Sequence, residues 1–129
     1  MTIVVGYLPT PEGMAAVAAA IEEAQLRGSR LVVLNTGNHG DYNTTAFASA
    51  HDLDALDERL AHAGIEHEIR QPTSGRSVSE ELIDAAESEA AEMLVIGLRK
   101  RSPLGKLVIG STAQEVLLDA PCRVLAVKS

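Results

Sequence analysis

The sequence is poor in aromatic residues and in cysteine. Aromatic side chains make up 2% of its 129 residues, and tryptophan is absent. This scarcity argues against a platform for single-stranded nucleic acid, because such platforms stack bases on aromatic rings. Cys122 is the one cysteine, so an intrachain disulfide is impossible and a reducing compartment fits the chain. We interpret Cys122, which follows a proline at the start of an apolar run, as a packed and inert thiol.

The chain also lacks an excess of positive charge and a long apolar run. Its formal net charge of −7 argues against a general binder of polyanions. No apolar run reaches the length of a membrane-spanning helix, and the first residues lack the charged and apolar regions of a signal peptide. We therefore expect a cytoplasmic protein whose partners include neither nucleic acid nor membrane.

Familiar catalytic and metal-binding motifs are missing as well. There is no G-x-S-x-G nucleophile elbow and no GxxxxGK[ST] phosphate loop. Four histidines occur, but their spacing matches no metal site, and we expect no bound metal in the protein itself: His39, His51, His62 and His67. No general base is evident near the loop described below, so we expect a function that depends on binding.

Apolar strand-like runs alternate with helical patterns along the chain. Strands are predicted at residues 2–7, 30–35, 65–71, 93–96 and 122–128, with helices between them. This order predicts one α/β domain over residues 1–129, in which helices cover both faces of an open parallel sheet. Because the third strand is the most polar, we place it at an edge, which gives the strand order 3-2-1-4-5.

Capping residues predict where the helices begin. Thr10 and Pro11 open the first helix, and Gly28 ends it. Capping boxes are predicted where a serine precedes Glu or Gln by three residues, at Ser77 with Glu80 and at Ser111 with Gln114. The second helix is predicted over residues 46–63. The buried face of the first helix is predicted to comprise Met14, Val17, Ala18, Ile21 and Ala24.

Residues 97–112, GLRKRSPLGKLVIGST, carry the main functional signal. They follow a buried strand, contain three glycines and three consecutive basic residues, and end at a helix start. Such a loop suits phosphate, because glycines let backbone N–H groups approach an anion and a helix N-terminus favours negative charge. Turn geometry and a solvated run of charge are the alternative interpretations. The predicted strand order places residues 6–10 opposite this loop, at the switch point between strands one and four.

Two motifs resemble those of a known family. A pattern G-x2-(G)-x9-G-S/T follows the fourth strand, with Gly97 first and Gly110-Ser111 last. The later segment Ala120-Pro121-Cys122-Arg123-Val124-Leu125-Ala126-Val127 matches A-P-C-x-V-L-x-V. Together with the opening IVVGYLPTPEGMAAV, they make the whole chain resemble the universal stress protein family.

The resemblance implies a stress-response or regulatory protein that binds an adenine nucleotide between strands one and four. The ligand implied is ATP or AMP, with Mg²⁺ accompanying ATP, and we expect at most a weak ATPase. The residues implied on the phosphate and ribose side are Gly97, Lys100, Gly110, Ser111 and Thr112, with Arg99 and Arg101 as further phosphate contacts. The residues implied on the opposite wall are Gly6, Tyr7, Thr10 and Thr36.

Two positions depart from the family pattern. Lys100 stands at the second motif glycine, where its ammonium can pair with a phosphate but its Cβ can also block the backbone. Leu8 stands where the family usually has an aspartate, which removes an anionic hydrogen-bond acceptor from the adenosine end. A dimeric interaction module that binds no nucleotide is therefore an alternative function on the same fold.

The last strand is implied to pair with a second copy of the chain. In the resembled family this strand commonly pairs across a two-fold axis. Val124, Leu125, Ala126 and Val127 would otherwise form an uncharged sheet edge, which proteins usually cover or pair. We expect a homodimer with the same patch on both subunits.

Overall fold

The computed structural model describes residues 1–36, 48–73, 75–98 and 109–129. Strands and helices alternate along these ranges, as the sequence predicted. The strands are β1 (Thr2–Gly6), β2 (Arg30–Leu34), β3 (His67–Arg70), β4 (Met93–Leu98) and β5 (Arg123–Lys128). The helices are α1 (Pro11–Arg27), α2 (Ala50–His62), α3 (Val78–Ser88) and α4 (Ser111–Asp119). No helix in these ranges has the length and apolarity needed to cross a bilayer.

All five strands pair in parallel, in the order β3-β2-β1-β4-β5. Val4 of β1 pairs with Val32 of β2 on one side and with Leu94 of β4 on the other. The predicted order 3-2-1-4-5 is confirmed. Consequently the carboxyl ends of β1 and β4 are neighbours, and β3 and β5 form the two edges.

The core consists of two apolar layers, one on each face of the sheet. Ile3 and Val5 belong to the layer that α1 and α2 cover, while Val4 belongs to the layer that α3 and α4 cover. Successive side chains of a strand point to opposite faces, so a strand covered on both faces must be apolar throughout. This explains the continuous apolar runs of the central strands.

The predicted buried face of α1 is wrong in part. Met14 is 40% exposed and Ala18 is exposed. The residues that α1 buries are Gly13, Ala16, Val17, Ala20, Ile21 and Ala24. In a helix so rich in alanine, apolarity barely distinguishes one face from another, so the sequence pattern alone did not identify the face that packs.

The structure confirms some predicted helix starts and corrects others. The Thr10 hydroxyl oxygen accepts a hydrogen bond from the Gly13 N–H at 3.2 Å, and Gly28 ends α1 with a positive φ of 66°. The second helix begins at Ala50 and not at residue 46, because Ser49 and Asp52 form a capping box there. The Ser77 hydroxyl oxygen accepts from the Glu80 N–H at 3.2 Å and caps α3 as predicted.

Candidate functional site

The first turn of α1 lies directly against the carboxyl end of β4. A Cβ atom added at Gly97 would stand 2.3 Å from the carbonyl oxygen of Glu12, and one at Gly13 would stand 1.9 Å from the carbonyl oxygen of Leu8. No side chain fits at such distances. The structure thus brings Gly97 and Glu12 into contact at the switch point of the sheet, although they are far apart in the sequence.

These glycines have packing roles that need no ligand. Because Gly97 has no side chain, the backbone of α1 can lie against it. In the same way, the missing side chain of Gly13 leaves room for the turn that precedes the helix. Gly6 contacts the other layer, where an added Cβ would stand 3.2 Å from Cδ2 of Leu82. The presence of a glycine at position 97 is therefore explained by the fold, whether or not a phosphate binds nearby.

Tyr7 presents its backbone, and not its ring, to the end of the sheet. Tyr7 is 4% exposed and packs in the layer of α1 and α2, and its place at a nucleotide site stays a prediction. Burial raises the pKa of the Tyr7 hydroxyl, and the negative charge of Asp52 raises it further. The Tyr7 N–H donates to the Leu34 carbonyl at 2.8 Å, which continues the pairing of β1 with β2 beyond Gly6.

Asn35 organises the strand ends, and the sequence analysis missed this role. Its side chain is fully buried, with Nδ2 donating to the Tyr7 carbonyl at 2.9 Å. Its Oδ1 accepts from the Ala48 N–H at 2.8 Å and from Nε2 of Gln71 at 2.9 Å. The sequence did contain an indication of this role. Asn35 stands at the end of an apolar run that is predicted to be buried, and a buried side-chain amide needs hydrogen-bond partners.

The threonines predicted on this wall occupy different positions. The Thr10 hydroxyl oxygen is engaged as the cap of α1, and Thr36 is buried directly after Asn35. Leu8, at the family's aspartate position, is half-buried. Each of these residues lies at the carboxyl end of the sheet, so the turn after β1 and the end of β2 form one wall.

The start of α4 lies at the same end of the sheet, and the predicted capping box at Ser111 is wrong. The N-cap is Gly110, and no side chain in the described ranges caps this helix. Gln114 instead donates through Nε2 to the Ile109 carbonyl at 3.3 Å, and its N–H donates to the Gly110 carbonyl at 3.0 Å. Side chains cap α1, α2 and α3, whereas Ser111 and Thr112 begin α4 exposed.

The basic part of the loop lies outside the described residues. This applies to Arg99, Lys100 and Arg101, which the sequence assigned to phosphate. Their assignment stays a prediction. Within residues 1–36, 48–73, 75–98 and 109–129, no group of three or more His, Cys, Asp or Glu side chains is placed to hold a metal ion.

A separate groove of about 700 Å³ lies between α3 and the carboxyl ends of β2 and β3. Its lining includes Arg70 and three acidic side chains, Glu81, Asp84 and Glu87. That excess of carboxylates disfavours a phosphate there. At the start of α4, by contrast, the helix dipole and the N–H groups of the first turn favour an anion.

Comparison with known proteins identifies the family. Residues 1–128 match the model of the universal stress protein family. The chain belongs to this family. A universal stress protein from Mycolicibacterium smegmatis is 46% identical over 126 residues, which cover 98% of this chain and 96% of that protein. The resemblance drawn from the sequence motifs is thus confirmed.

Two solved structures from Archaeoglobus fulgidus are similar in fold and sequence. One universal stress protein is 32% identical with a TM-score of 0.73, over 99% of this chain and 98% of that one. A second, in complex with dAMP, is 26% identical with a TM-score of 0.68, over the same shares of the two chains. The second relative holds an adenine nucleotide.

The β5 strand of this family member forms an edge of the sheet. It pairs with β4 from Arg123 to Lys128. Leu125 and Val127 contact the α1 layer, while Val124 and Ala126 contact the α3 and α4 layer, and all four side chains are half-buried. The homodimer expected through this strand stays a prediction.

Proposed function

We propose that this chain binds an adenine nucleotide, ATP or AMP, between β1 and β4, and that it acts in a stress response or in regulation. One observation carries the proposal. The exposed start of α4, which no side chain of the described residues caps, lies at the same end of the sheet as the turns after β1 and β4. Binding is the proposed activity, with hydrolysis at most slow.

The phosphate side consists of the first turn of α4. The helix dipole and the N–H groups of this turn favour an anion. Gly110 carries no side chain that would compete for these groups, and the exposed hydroxyl groups of Ser111 and Thr112 can donate to phosphate or ribose. Lys100, Arg99 and Arg101 would add positive charge in a chain whose net charge is −7.

The base side consists of the turn after β1 and the end of β2. Gly6, the backbone of Tyr7, Thr10 and Thr36 line this end of the sheet in the proposal. Asn35 holds the Tyr7 carbonyl, which keeps the backbone of this wall in place. The relative that is 26% identical and holds dAMP supports an adenine nucleotide as the ligand.

Isothermal titration calorimetry with ATP and AMP tests this function. An aspartate at Ser111 would place a carboxylate at the helix start, where it stabilises the helix but competes with phosphate. We expect Ser111→Asp to weaken AMP binding about tenfold or more, the value of one charge-assisted hydrogen bond. Leu118→Asp adds the same charge at the far end of α4 and serves as the control. Absence of heat from the wild-type chain at millimolar AMP and ATP would contradict the proposal.

A dimeric interaction module without a nucleotide is the second candidate. It is favoured by Gly97, whose contact with Glu12 explains the glycine without any ligand, and by Leu8 in place of an anionic acceptor. In either function we propose a homodimer through β5, because this edge strand is uncharged between Arg123 and Lys128.

Leu117 allows the dimer to be tested. Glu115 faces α3, where it bonds Ser79, and Val116 faces the sheet. Leu117 lies about 100° beyond Val116 on the helix surface, on the side away from Glu115 and α3, and is 44% exposed. We expect light scattering with size exclusion to give a dimer for the wild type and a monomer for Leu117→Glu. Leu118→Glu, on the solvent side, should stay dimeric, and a monomeric wild type at micromolar concentration would refute the proposal.

A further inference from the structure

A side-chain pair joins the first turn of α3 to the second turn of α4. Ser79, the second residue of α3, is 2% exposed, and its hydroxyl donates to Oε2 of Glu115 on α4. The Ser77 hydroxyl lies 3.2 Å from the Ser79 hydroxyl and caps α3. A carboxylate that belongs to α4 is therefore held at the N-terminus of α3, where the positive end of that helix dipole balances its charge.

Glu115 stands on α4 directly above the residues proposed to meet phosphate. Residues three and four apart share a helix face, so Glu115 is stacked on Ser111 and Thr112. Helical side chains also lean toward the N-terminus of their own helix. A carboxylate released from Ser79 could therefore reach the first turn of α4, where the dipole attracts it and where it would repel an incoming phosphate.

We infer that Ser79 is a positioning residue that holds the Glu115 carboxylate away from the start of α4 and so keeps this helix N-terminus open to the phosphate of a nucleotide. The inference rests on the proposed nucleotide function. Ser79 itself contacts no nucleotide in this arrangement, since its hydroxyl is buried and bonded to Glu115. Its effect acts only on the part of the affinity that comes from phosphate.

This role differs from simple packing in two measurable ways. Loss of the Ser79 hydroxyl should weaken AMP binding about two- to fivefold, the range of one charge near a helix end, and leave adenosine binding unchanged. Neutralising Glu115 should cancel the loss, because no carboxylate is left to release. A packing defect between α3 and α4 would instead weaken both ligands and would persist when Glu115 is neutral.

Isothermal titration calorimetry tests the inference. It measures the binding of AMP and of adenosine to the wild type, to Ser79→Ala, to Glu115→Gln and to the double variant. Ser88→Ala, on the exposed last turn of α3, is the matched control and should behave as the wild type. We expect weaker AMP binding in Ser79→Ala alone, and restored binding in the double variant. Glu115→Gln by itself should bind AMP as tightly as the wild type or more tightly, which tests the inference even where Ser79→Ala folds poorly.

The outcomes separate the inference from the function on which it rests. A wild type that binds AMP no better than adenosine would overturn the proposed phosphate site, and the inference with it. A wild type that prefers AMP, combined with an unchanged Ser79→Ala, would overturn the inference alone. Weaker AMP binding in Glu115→Gln, or a loss in Ser79→Ala that the double variant retains, would also overturn it.

Discussion

The backbone of Gly97 lies against the backbone of Glu12, so that a Cβ at position 97 would stand 2.3 Å from the Glu12 carbonyl oxygen. This contact joins the end of β4 to the first turn of α1. Because the neighbour is backbone, a side chain at position 97 cannot be accommodated by a change of rotamer.

Gly97→Ala should destabilise the chain by about 1–3 kcal/mol, as overpacking in a close-packed core does. Urea denaturation measures this loss. Gly6→Ala is the matched control, because its added methyl would meet only the end of the Leu82 side chain at 3.2 Å, which can move. We expect the free energy of unfolding to fall less than half as much in the control. Equal decreases in the two variants would show that the contact with Glu12 is not the reason why Gly97→Ala is destabilising.

Asn35→Leu should destabilise the chain by about 2–4 kcal/mol. The variant leaves the Tyr7 carbonyl and the Ala48 N–H buried without their present partner, and each unsatisfied group costs about 1–3 kcal/mol. Gln71→Ala, which removes one donor to Asn35 from a half-buried side chain, should cost less. The comparison uses urea unfolding at neutral pH. If the free energy of unfolding of Asn35→Leu lay within about 0.5 kcal/mol of the wild-type value, the role assigned to Asn35 would be contradicted.

His67 should make stability depend on pH near neutrality. Although its partial burial disfavours the charged ring, hydrogen bonds to the Ile65 carbonyl at 2.8 Å and to Asp57 at 2.6 Å raise the pKa of His67 above the usual 6.5. A folded-state pKa above the unfolded one gives stability that is complete below about pH 6.5 and is lost as pH rises through the folded value.

Two measurements check this pH dependence. NMR titration gives the pKa of the His67 imidazole, and urea unfolding at about pH 5.5 and at about pH 8.5 gives the urea concentration at the unfolding midpoint for each pH. Asp57→Asn should lower the pKa of His67 and reduce the difference between the two midpoints. His62→Gln, in the exposed last turn of α2, should leave both unchanged. An imidazole that titrates at or below 6.5 in the wild type would show that burial outweighs the two hydrogen bonds.

The family motifs located the candidate site along the chain but not its packing. Gly97 and Gly110 could be marked from their spacing, and the strand order placed their loop beside the turn after β1. The sequence could not show that Gly97 meets Glu12, that the Tyr7 ring turns into the core, or that α4 starts without a side-chain cap. These features depend on contacts between segments that are far apart in sequence.

The amino-acid sequence by itself determined the alternation of strands and helices, the parallel sheet with β3 at an edge, and the caps at Thr10, Gly28 and Ser77. Those properties arise from local patterns of apolar, capping and turn residues, which act within one element. Only the tertiary structure decided the buried face of α1, the partners of Asn35 and the bond from Ser79 to Glu115, which spans 36 residues. Such contacts form when distant elements pack at close range, and the periodicity within either element does not encode them.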